Sequence, residues 1–416
     1  MRAHKLCMVP GPTEYHEDVL NAMSVPSVSH LDTVEFIPIL GKVIEMVRTV
    51  VMTKTGQPFI VSGACSLGWE MLANLLEKDD EALIVNTGYF GDQIAKWYVM
   101  IEFHMYCNRL TGRSLEIYGI TSTHLRAPIG DCPSMEELKK AVSQKKYKIV
   151  IIIHVDTSQV IRYPKPSFLL IVCLFLRTGV RTDPKRVSAI VKSVSPETLV
   201  AVDGVCSVGA EEMRFDDWDL DVVITGGQKG LAAPPGLCVV VVSQYALQVL
   251  ENRKTPIPLY YANWSHWLPV MKAYEAGQVS YFATPSVPLI FALHQSLKRM
   301  TGSPIENRFG KHRQVASDFR KAIRAMGLNL MVRCEEQAAN GITTVWLPHQ
   351  ISAGQLISTM ASKGVLIGAG NHTEYGSKYF RVGHMGISAM ESDRKHIERV
   401  LTALAISLTE LGYQLE

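Results

Sequence analysis

The chain contains 416 residues, of which 47% are hydrophobic, so it can bury a large core and accommodate one big domain with a smaller one. Its formal net charge is +3, from 42 basic and 39 acidic residues that are scattered along the sequence, which predicts no nucleic-acid partner. The longest uninterrupted apolar run, from Phe168 to Leu176, is much shorter than the roughly 20 residues of a spanning helix, so no membrane association is predicted.

Short apolar runs rich in β-branched residues recur along the first part of the chain. Their apolarity is continuous rather than alternating, which predicts strands that are buried on both faces of a sheet. Between them, Leu67 to Leu76 and Met135 to Val142 have the spacing of helices. The pattern predicts an α/β fold with a mainly parallel sheet between helices. The candidate strands are Pro58 to Val61, Ala82 to Val85, Ile149 to Ile153, Leu199 to Val202, Val222 to Ile224 and Cys238 to Val242.

The character of the sequence changes after about Pro288. Residues Ile290 to Met300 predict a connecting helix, and the candidate strands Ile342 to Trp346 and Tyr379 to Val382 suit a smaller α+β domain. We therefore predict three parts, which are an N-terminal arm over residues 1–20, a large domain over 21–290 and a small C-terminal domain over 291–416.

Two charged residues, Asp203 and Lys229, follow predicted strands at the end where parallel sheets bind ligands. Lys229 lies among Gly226, Gly227 and Gly230, which let the backbone approach a ligand closely, and a buried lysine can become a nucleophile for carbonyl groups. Asp203 ends an apolar strand, where a buried carboxylate needs a partner such as a protonated ring nitrogen. The alternatives are a solvated loop lysine and a helix N-cap.

Further positions are candidates for ligand contacts. Ser62, Gly63 and Ala64 join a predicted strand to a helix whose first N–H groups could bind phosphate, although such junctions often carry these residues simply as caps. Phe90 follows another strand and could lie flat on an aromatic ring or belong to the core. Arg381 interrupts an apolar strand and would match a substrate carboxylate, with a structural ion pair as the alternative.

The cysteines and the two ends of the sequence indicate whether a metal site is expected and in which cellular compartment we expect the protein. The eight cysteines form no CxxC pair and have no zinc-ligand spacing with histidine, which predicts free thiols, a reducing compartment and no metal site. No long apolar segment follows Met1 to Leu6, and Tyr413 to Glu416 is not a peroxisomal address. We expect a cytoplasmic protein, with a peroxisomal or mitochondrial location as the alternatives.

The candidate residues belong to longer motifs. These are Pro10-Gly11-Pro12-Thr13, the turn at Ser62, Asp203-Gly204-Val205-Cys206-Ser207, Gly226-Gly227-Gln228-Lys229-Gly230-Leu231-Ala232-Ala233-Pro234-Pro235-Gly236, and the strand around Arg381. Together they resemble the class V aminotransferases among the fold-type I pyridoxal-phosphate (PLP) enzymes, in particular the alanine–glyoxylate and serine–pyruvate aminotransferase group. The resemblance covers nearly the whole chain, and the lysine motif followed by a double proline is highly specific.

The resemblance implies a pyridoxal 5'-phosphate site and a role for each candidate. Lys229 would hold the cofactor and move the substrate proton, while Arg381 would bind the substrate carboxylate beside Gly11. A neighbouring subunit would complete the phosphate site through Tyr281 and Thr284, which implies a homodimer. The other implied cofactor contacts are Asp203 at the ring nitrogen, Phe90 and Val205 on the ring faces, Ser158 near the ring hydroxyl, and Ser62, Gly63, Ala64 and Gln228 at the phosphate.

The implied reaction moves the amino group of alanine or serine to glyoxylate, giving pyruvate and glycine in the alanine case. One alternative is an impaired paralogue or mis-spliced form that keeps the fold but binds the cofactor poorly. Another is a cysteine desulfurase, which shares the fold. Desulfurases typically carry histidine where this chain has Gln228, and Cys334 lies in a strand-like context rather than in a glycine-rich loop.

Two stretches depart from the family pattern, near residues 98–113 and 159–177. The second separates Thr157-Ser158 from Thr178-Gly179-Val180, which relatives join, and it contains the apolar run from Phe168 to Leu176. An exposed run of this kind is an aggregation hazard. The inserts are either translated introns or genuine lineage-specific loops, and transcript reads that cross them intact would exclude the first interpretation.

Overall fold

The computed structural model describes residues 4–87, 94, 120–127, 131–155, 180–370 and 376–415. The strands of these residues are β1 (Leu6–Cys7), β2 (Gln57–Ser62), β3 (Glu81–Asn86), β4 (Thr121–Arg126), β5 (Ile149–Ile153), β6 (Leu199–Asp203), β7 (Val222–Gly226), β8 (Leu237–Val242), β9 (Ile342–Trp346), β10 (Val365–Leu366), β11 (Gly368–Ala369) and β12 (Tyr379–Gly383). The helices are α1 (Glu17–Asn21), α2 (Phe36–Val51), α3 (Ser66–Met71), α4 (Met135–Gln144), α5 (Pro184–Val194), α6 (Gln244–Glu251), α7 (Trp264–Glu275), α8 (Val287–Thr301), α9 (Ile305–Ala325), α10 (Ala353–Ser362), α11 (Ile387–Met390) and α12 (His396–Glu410).

A seven-stranded sheet of order β2-β8-β7-β6-β5-β3-β4 forms the centre of the molecule. Strand β8 runs antiparallel to both of its neighbours, and the other adjacent pairs are parallel. Every residue of β5, β6, β7 and β8 is buried, which is the reason for their continuous apolar runs. The predicted α/β fold with a mainly parallel sheet is therefore confirmed.

Helices cover the sheet, and their boundaries follow from capping residues. Ser134 and Glu137 form a capping box at the start of α4, each side chain accepting from the other residue's backbone N–H. Asp183 caps α5, whose first residue is Pro184, a residue that has no N–H to leave unsatisfied. Helix α2 buries one face of eight residues, and it packs against α7 and α8.

A second, smaller sheet of order β11-β12-β9 is antiparallel, and it belongs to the later part of the chain, as predicted. A separate hydrophobic cluster lies beside it, built largely from α10, α12 and these strands. The first strand of the chain joins this part of the molecule, because β1 pairs with β10 and Leu6 and Met8 are buried in the same cluster. The boundaries at residues 20 and 290 stay predictions.

Within the described ranges, the structure contains no helix that combines the length and the apolarity required to cross a membrane.

Candidate active site

The carboxyl ends of β6 and β7 bring Asp203 and Lys229 to the same edge of the central sheet. Asp203 is the last residue of β6 and lies opposite Ile224 of β7. The Gly204 N–H donates to the Ile224 carbonyl at 2.8 Å, which ties the two strand ends together. Lys229 lies three residues after Gly226, the last residue of β7. This is the edge at which the sequence predicted a ligand site.

Asp203 is a buried carboxylate with a defined orientation. It is 4% exposed, and each of its oxygens accepts a hydrogen bond. The Trp69 indole Nε1 donates to Oδ2 at 2.9 Å, and the Val205 backbone N–H donates to Oδ1 at 3.0 Å. Both donors favour the ionised carboxylate. The sequence analysis did not identify Trp69, because a tryptophan on an apolar helix is ordinarily a core residue.

The N-terminal segment lies directly on Lys229. The Lys229 Nζ donates to the Pro10 carbonyl, and a Cβ on Gly11 would lie 2.6 Å from Nζ and 2.7 Å from Cε. Thr13 fixes the register of this contact, since its N–H donates to the Gln228 carbonyl at 3.2 Å and its hydroxyl to the Lys229 carbonyl at 3.3 Å. Gly11 was predicted beside the substrate, whereas Thr13 carried no predicted role.

Arg381 and Pro10 both lie beside Gly368. It is a buried residue of β12 whose Nε donates to the Ala369 carbonyl at 2.7 Å. A Cβ on Gly368 would lie 2.9 Å from Pro10 Cδ and 3.4 Å from Arg381 Nη2, so the two residues flank the same glycine. Pro10 is thus a neighbour of both residues, since its carbonyl accepts from Lys229 and its ring lies beside the glycine next to Arg381.

In the predicted phosphate turn, some polar groups have hydrogen-bond partners among the described residues and others do not. The Ser62 hydroxyl accepts from the Ser286 N–H at 2.8 Å, and the Gly63 N–H donates to the Gly236 carbonyl at 2.9 Å. The next three N–H groups, of Ala64, Cys65 and Ser66, open α3 and donate to no acceptor among the residues that the structure describes. Backbone donors in this position suit an anion.

Gln228, another predicted phosphate contact, faces the start of α3. Its side-chain Nε2 donates to the Cys65 sulfur at 3.1 Å. Burial raises the pKa of the Cys65 thiol to about 11, and the hydrogen bond from Gln228 offsets part of that rise. The thiol is therefore neutral near pH 7 and acts as a packing and hydrogen-bonding group.

Three of the remaining predictions concern surface or ring contacts. Val205 is buried next to Asp203. Tyr281 and Thr284 are both exposed, and their hydroxyl oxygens lie 3.3 Å apart. Phe90 and Ser158 lie outside the described residues, as do the apparent inserts at 98–113 and 159–177.

Cys334, the residue considered for desulfurase chemistry, precedes the short 3-10 turn Glu335–Gln337. Its thiol donates to the Glu336 carboxylate, and the Gln337 N–H donates to the Cys334 carbonyl at 3.1 Å. Both contacts are made within the residues of this turn.

Comparisons with known proteins identify the family of the chain. Residues 153–388 match the family model described as aminotransferase class-V. The chain is 30% identical over 414 residues to alanine–glyoxylate aminotransferase 1 of Saccharomyces cerevisiae, with 96% of this chain and 97% of that protein covered. It is 27% identical over 391 residues to L-aspartate–glyoxylate aminotransferase of Paracoccus denitrificans, with 93% and 87% covered. A solved alanine–glyoxylate aminotransferase from Nostoc sp. superposes with a TM-score of 0.82 at 25% identity, with 98% and 96% covered.

Proposed function

This chain belongs to the class V aminotransferases, and on that premise we propose that it transfers the amino group of alanine or serine to glyoxylate with pyridoxal 5'-phosphate as cofactor. The names of the yeast and Paracoccus relatives share glyoxylate as acceptor and differ in the donor. Alanine as donor would give pyruvate, and the acceptor would leave as glycine.

The residues of the site fit this cofactor. Pyridoxal phosphate carries an aldehyde, a basic ring nitrogen and a phosphate. Lys229 offers the amine that an aldehyde requires, and the buried Asp203 offers an anion for the protonated ring nitrogen. The N–H groups of Ala64, Cys65 and Ser66 offer phosphate donors without further partners in the described residues.

Lys229 would be the catalytic residue of the chain. When bound, the cofactor supplies an electron-withdrawing ring that stabilises negative charge on the substrate Cα. Lys229 would bind the cofactor and, once displaced by substrate, its amine would take the proton from Cα and return it later. The Pro10 carbonyl, which accepts a hydrogen bond from Nζ, orients that amine.

Arg381 would bind and orient the substrate. Its planar guanidinium can hold a carboxylate through two parallel hydrogen bonds, and its Nε is already anchored on the Ala369 carbonyl. A carboxylate bound there would place the amino acid near Lys229, because Pro10 contacts Lys229 and lies beside the same glycine as Arg381. Asp203 would keep the ring nitrogen protonated through both half-reactions.

The observation that carries the proposal is the hydrogen bond from Lys229 to the Pro10 carbonyl, with the Pro10 ring and the Arg381 guanidinium both beside Gly368. The test is the visible absorbance of the purified chain with pyridoxal phosphate, before and after alanine is added. We expect a cofactor band that bleaches with alanine and returns with glyoxylate, and no such behaviour for Lys229→Ala. A band that neither alanine nor serine bleaches would contradict the assignment, and the absence of any band would favour the impaired-paralogue alternative.

We also propose that the enzyme is a homodimer in which Tyr281 and Thr284 complete the partner's phosphate site. Tyr281 is 58% exposed, and its ring lies 5.1 Å from that of His30. The next residue, Phe282, packs edge-on against Tyr260, which is 76% exposed, with the ring centroids 5.5 Å apart. Exposed aromatic clusters of this kind mark interfaces more often than free surface.

A mixing experiment tests the shared site. Lys229→Ala and Tyr281→Ala are each expected to be nearly inactive alone. If Tyr281 acts on the partner's cofactor, their heterodimer contains one intact site, and mixing restores activity. Mixing without recovery, or a solution mass equal to the single chain of 46.2 kDa, would contradict the shared site.

For location we propose the cytoplasm. Six cysteines of the described residues carry free thiols, which fits a reducing compartment. A fluorescent fusion that collects in peroxisomes or mitochondria would contradict this proposal.

A further inference from the structure

Trp69 is the side chain that fixes the orientation of Asp203. It lies on α3 and is 7% exposed, and its indole Nε1 donates to Asp203 Oδ2 at 2.9 Å. The second oxygen, Oδ1, accepts from the Val205 backbone N–H at 3.0 Å. A carboxylate that accepts a hydrogen bond at both oxygens has its plane set by the surrounding protein.

The hydrogen bond from Trp69 differs from the one from Val205 in what it connects. Val205 follows Asp203 in the same loop, so its N–H moves with the carboxylate. Trp69 belongs to α3, which follows Ala64 and Cys65 and begins at Ser66, the three residues proposed as phosphate donors. The indole therefore joins the acid at the end of β6 to the element that would hold the opposite end of the cofactor.

We propose that Trp69 is a positioning residue of the aminotransferase, holding the Asp203 carboxylate in the ionised, oriented state that the cofactor's ring nitrogen requires. This inference rests on the proposed function, because it assigns Asp203 to the ring nitrogen. Trp69 itself need not touch cofactor or substrate. Its effect passes through Asp203, since a donor removed from a buried carboxylate weakens the anion and releases its orientation.

The consequence is a selective defect. Loss of the indole donor weakens cofactor binding and slows the step in which Lys229 removes the proton, because both depend on a protonated ring. Arg381 and its contact with the Ala369 carbonyl are unchanged. The KM for the amino donor should therefore stay within about two-fold, while kcat falls by about ten-fold, the lower end of what a hydrogen bond to a charged group contributes.

Two substitutions at the same position separate the hydrogen bond from packing. Trp69→Phe keeps most of the ring volume and removes the donor. Trp69→His loses more volume but keeps a ring N–H, because Nε2 of histidine occupies the position in its five-membered ring that Nε1 occupies in tryptophan. A role in packing alone predicts that phenylalanine is the better replacement. A role in positioning Asp203 predicts that histidine is.

Trp264 provides the matched control. It is a fully buried tryptophan of the same core, stacked on Phe59 with ring centroids 5.6 Å apart. Its Nε1 is buried and has no hydrogen-bond partner among the described residues. Trp264→Phe thus makes the same change of ring and volume without removing a hydrogen bond.

The measurements are the melting temperature of the cofactor-free protein, the Kd for pyridoxal phosphate by equilibrium dialysis, and the rate at which alanine bleaches the cofactor band. We expect Trp69→Phe and Trp264→Phe to lower the melting temperature similarly. Only Trp69→Phe should raise the Kd and slow bleaching, each by about ten-fold, and Trp69→His should recover part of both losses.

Two results would overturn the inference while leaving the proposed function intact. One is a Trp69→Phe protein that binds the cofactor and bleaches as Trp264→Phe does. The other is a Trp69→His protein that is no better than Trp69→Phe in both assays. If the unaltered chain shows no cofactor band at all, the proposed function fails, and the inference fails with it.

Discussion

Replacing Gly11 by alanine should disable Lys229 without unfolding the chain. The Gly11 backbone has φ +123°, a conformation that residues with a Cβ rarely adopt. The added Cβ would lie 2.6 Å from Lys229 Nζ and 2.7 Å from Cε, and distances under 3.0 Å are essentially never seen for real Cβ atoms. The lysine end, which is the reacting group of the proposed mechanism, has to move.

Two effects of different size follow from this geometry. The backbone strain costs about 1–3 kcal/mol, a part of the roughly 5–15 kcal/mol by which domains are stable, so the variant remains folded. The displacement of Nζ acts on the rate, because a misplacement of about 1 Å at a reacting group can cost about 100-fold. We therefore expect a fall in kcat of about 100-fold with a melting temperature lowered by only a few degrees.

The assay compares the rate of bleaching by alanine with the thermal melting curve. Gly364→Ala is the matched control, because Gly364 also has a positive φ, +76°, while no atom lies within 4 Å of the added Cβ. It should lose stability and keep its rate. If Gly11→Ala reacts as fast as Gly364→Ala, the contact with Lys229 does not govern the amine, and the reasoning is wrong.

Three further predictions concern other parts of the chain. Arg381→Lys replaces a forked donor by a point charge, so the KM for alanine should rise about ten-fold while the cofactor spectrum stays unchanged in a titration. Burial lowers the pKa of His312 from 6.5 to about 3, so its contribution to stability is complete above about pH 6.5 and is lost as the pH falls towards 3. The free energy of unfolding should therefore fall by about 1.4 kcal/mol for each pH unit below 6.5 because of this group, and the fall should be less steep in His312→Gln. Arg308 donates to the buried carbonyls of Gly209 and Gly230 at 2.7 and 2.9 Å, so Arg308→Met should lose about 1–3 kcal/mol in denaturant unfolding, whereas an unchanged midpoint would show that these acceptors find other donors.

The sequence predicted the fold well where strands are buried on both faces. Strands β5 to β8 appear as unbroken apolar runs because each lies inside the sheet. Strand β4 escaped prediction, since it lies at the sheet edge and its sequence Thr121–Arg126 is largely polar. The antiparallel direction of β8 also could not be predicted, because apolarity carries no information about strand direction.

The site was predictable where a residue type is unusual in its local context. A lysine among glycines and an aspartate that ends an apolar strand both indicated a functional site. Trp69 gave no such signal, because its hydrogen bond to Asp203 joins residues far apart in sequence. The contact of Pro10 with Lys229 likewise depends on where the N-terminal strand pairs, which short-range patterns do not encode.

The pairing of β1 with β10 has a consequence for how the enzyme is made. A growing chain leaves the ribosome from its N-terminus, and the sheet partner of Leu6 and Cys7 is Val365 and Leu366. The first residues can therefore pair in the sheet only after most of the chain has been translated. The contact between the Pro10 carbonyl and Lys229 follows that pairing. A nascent chain stalled before β10 would contain the lysine, the aspartate and the whole central sheet, yet it would lack the backbone that orients the amine. The contact that orients the Lys229 amine is thus among the last of the site to form, because it needs a strand made near the end of translation.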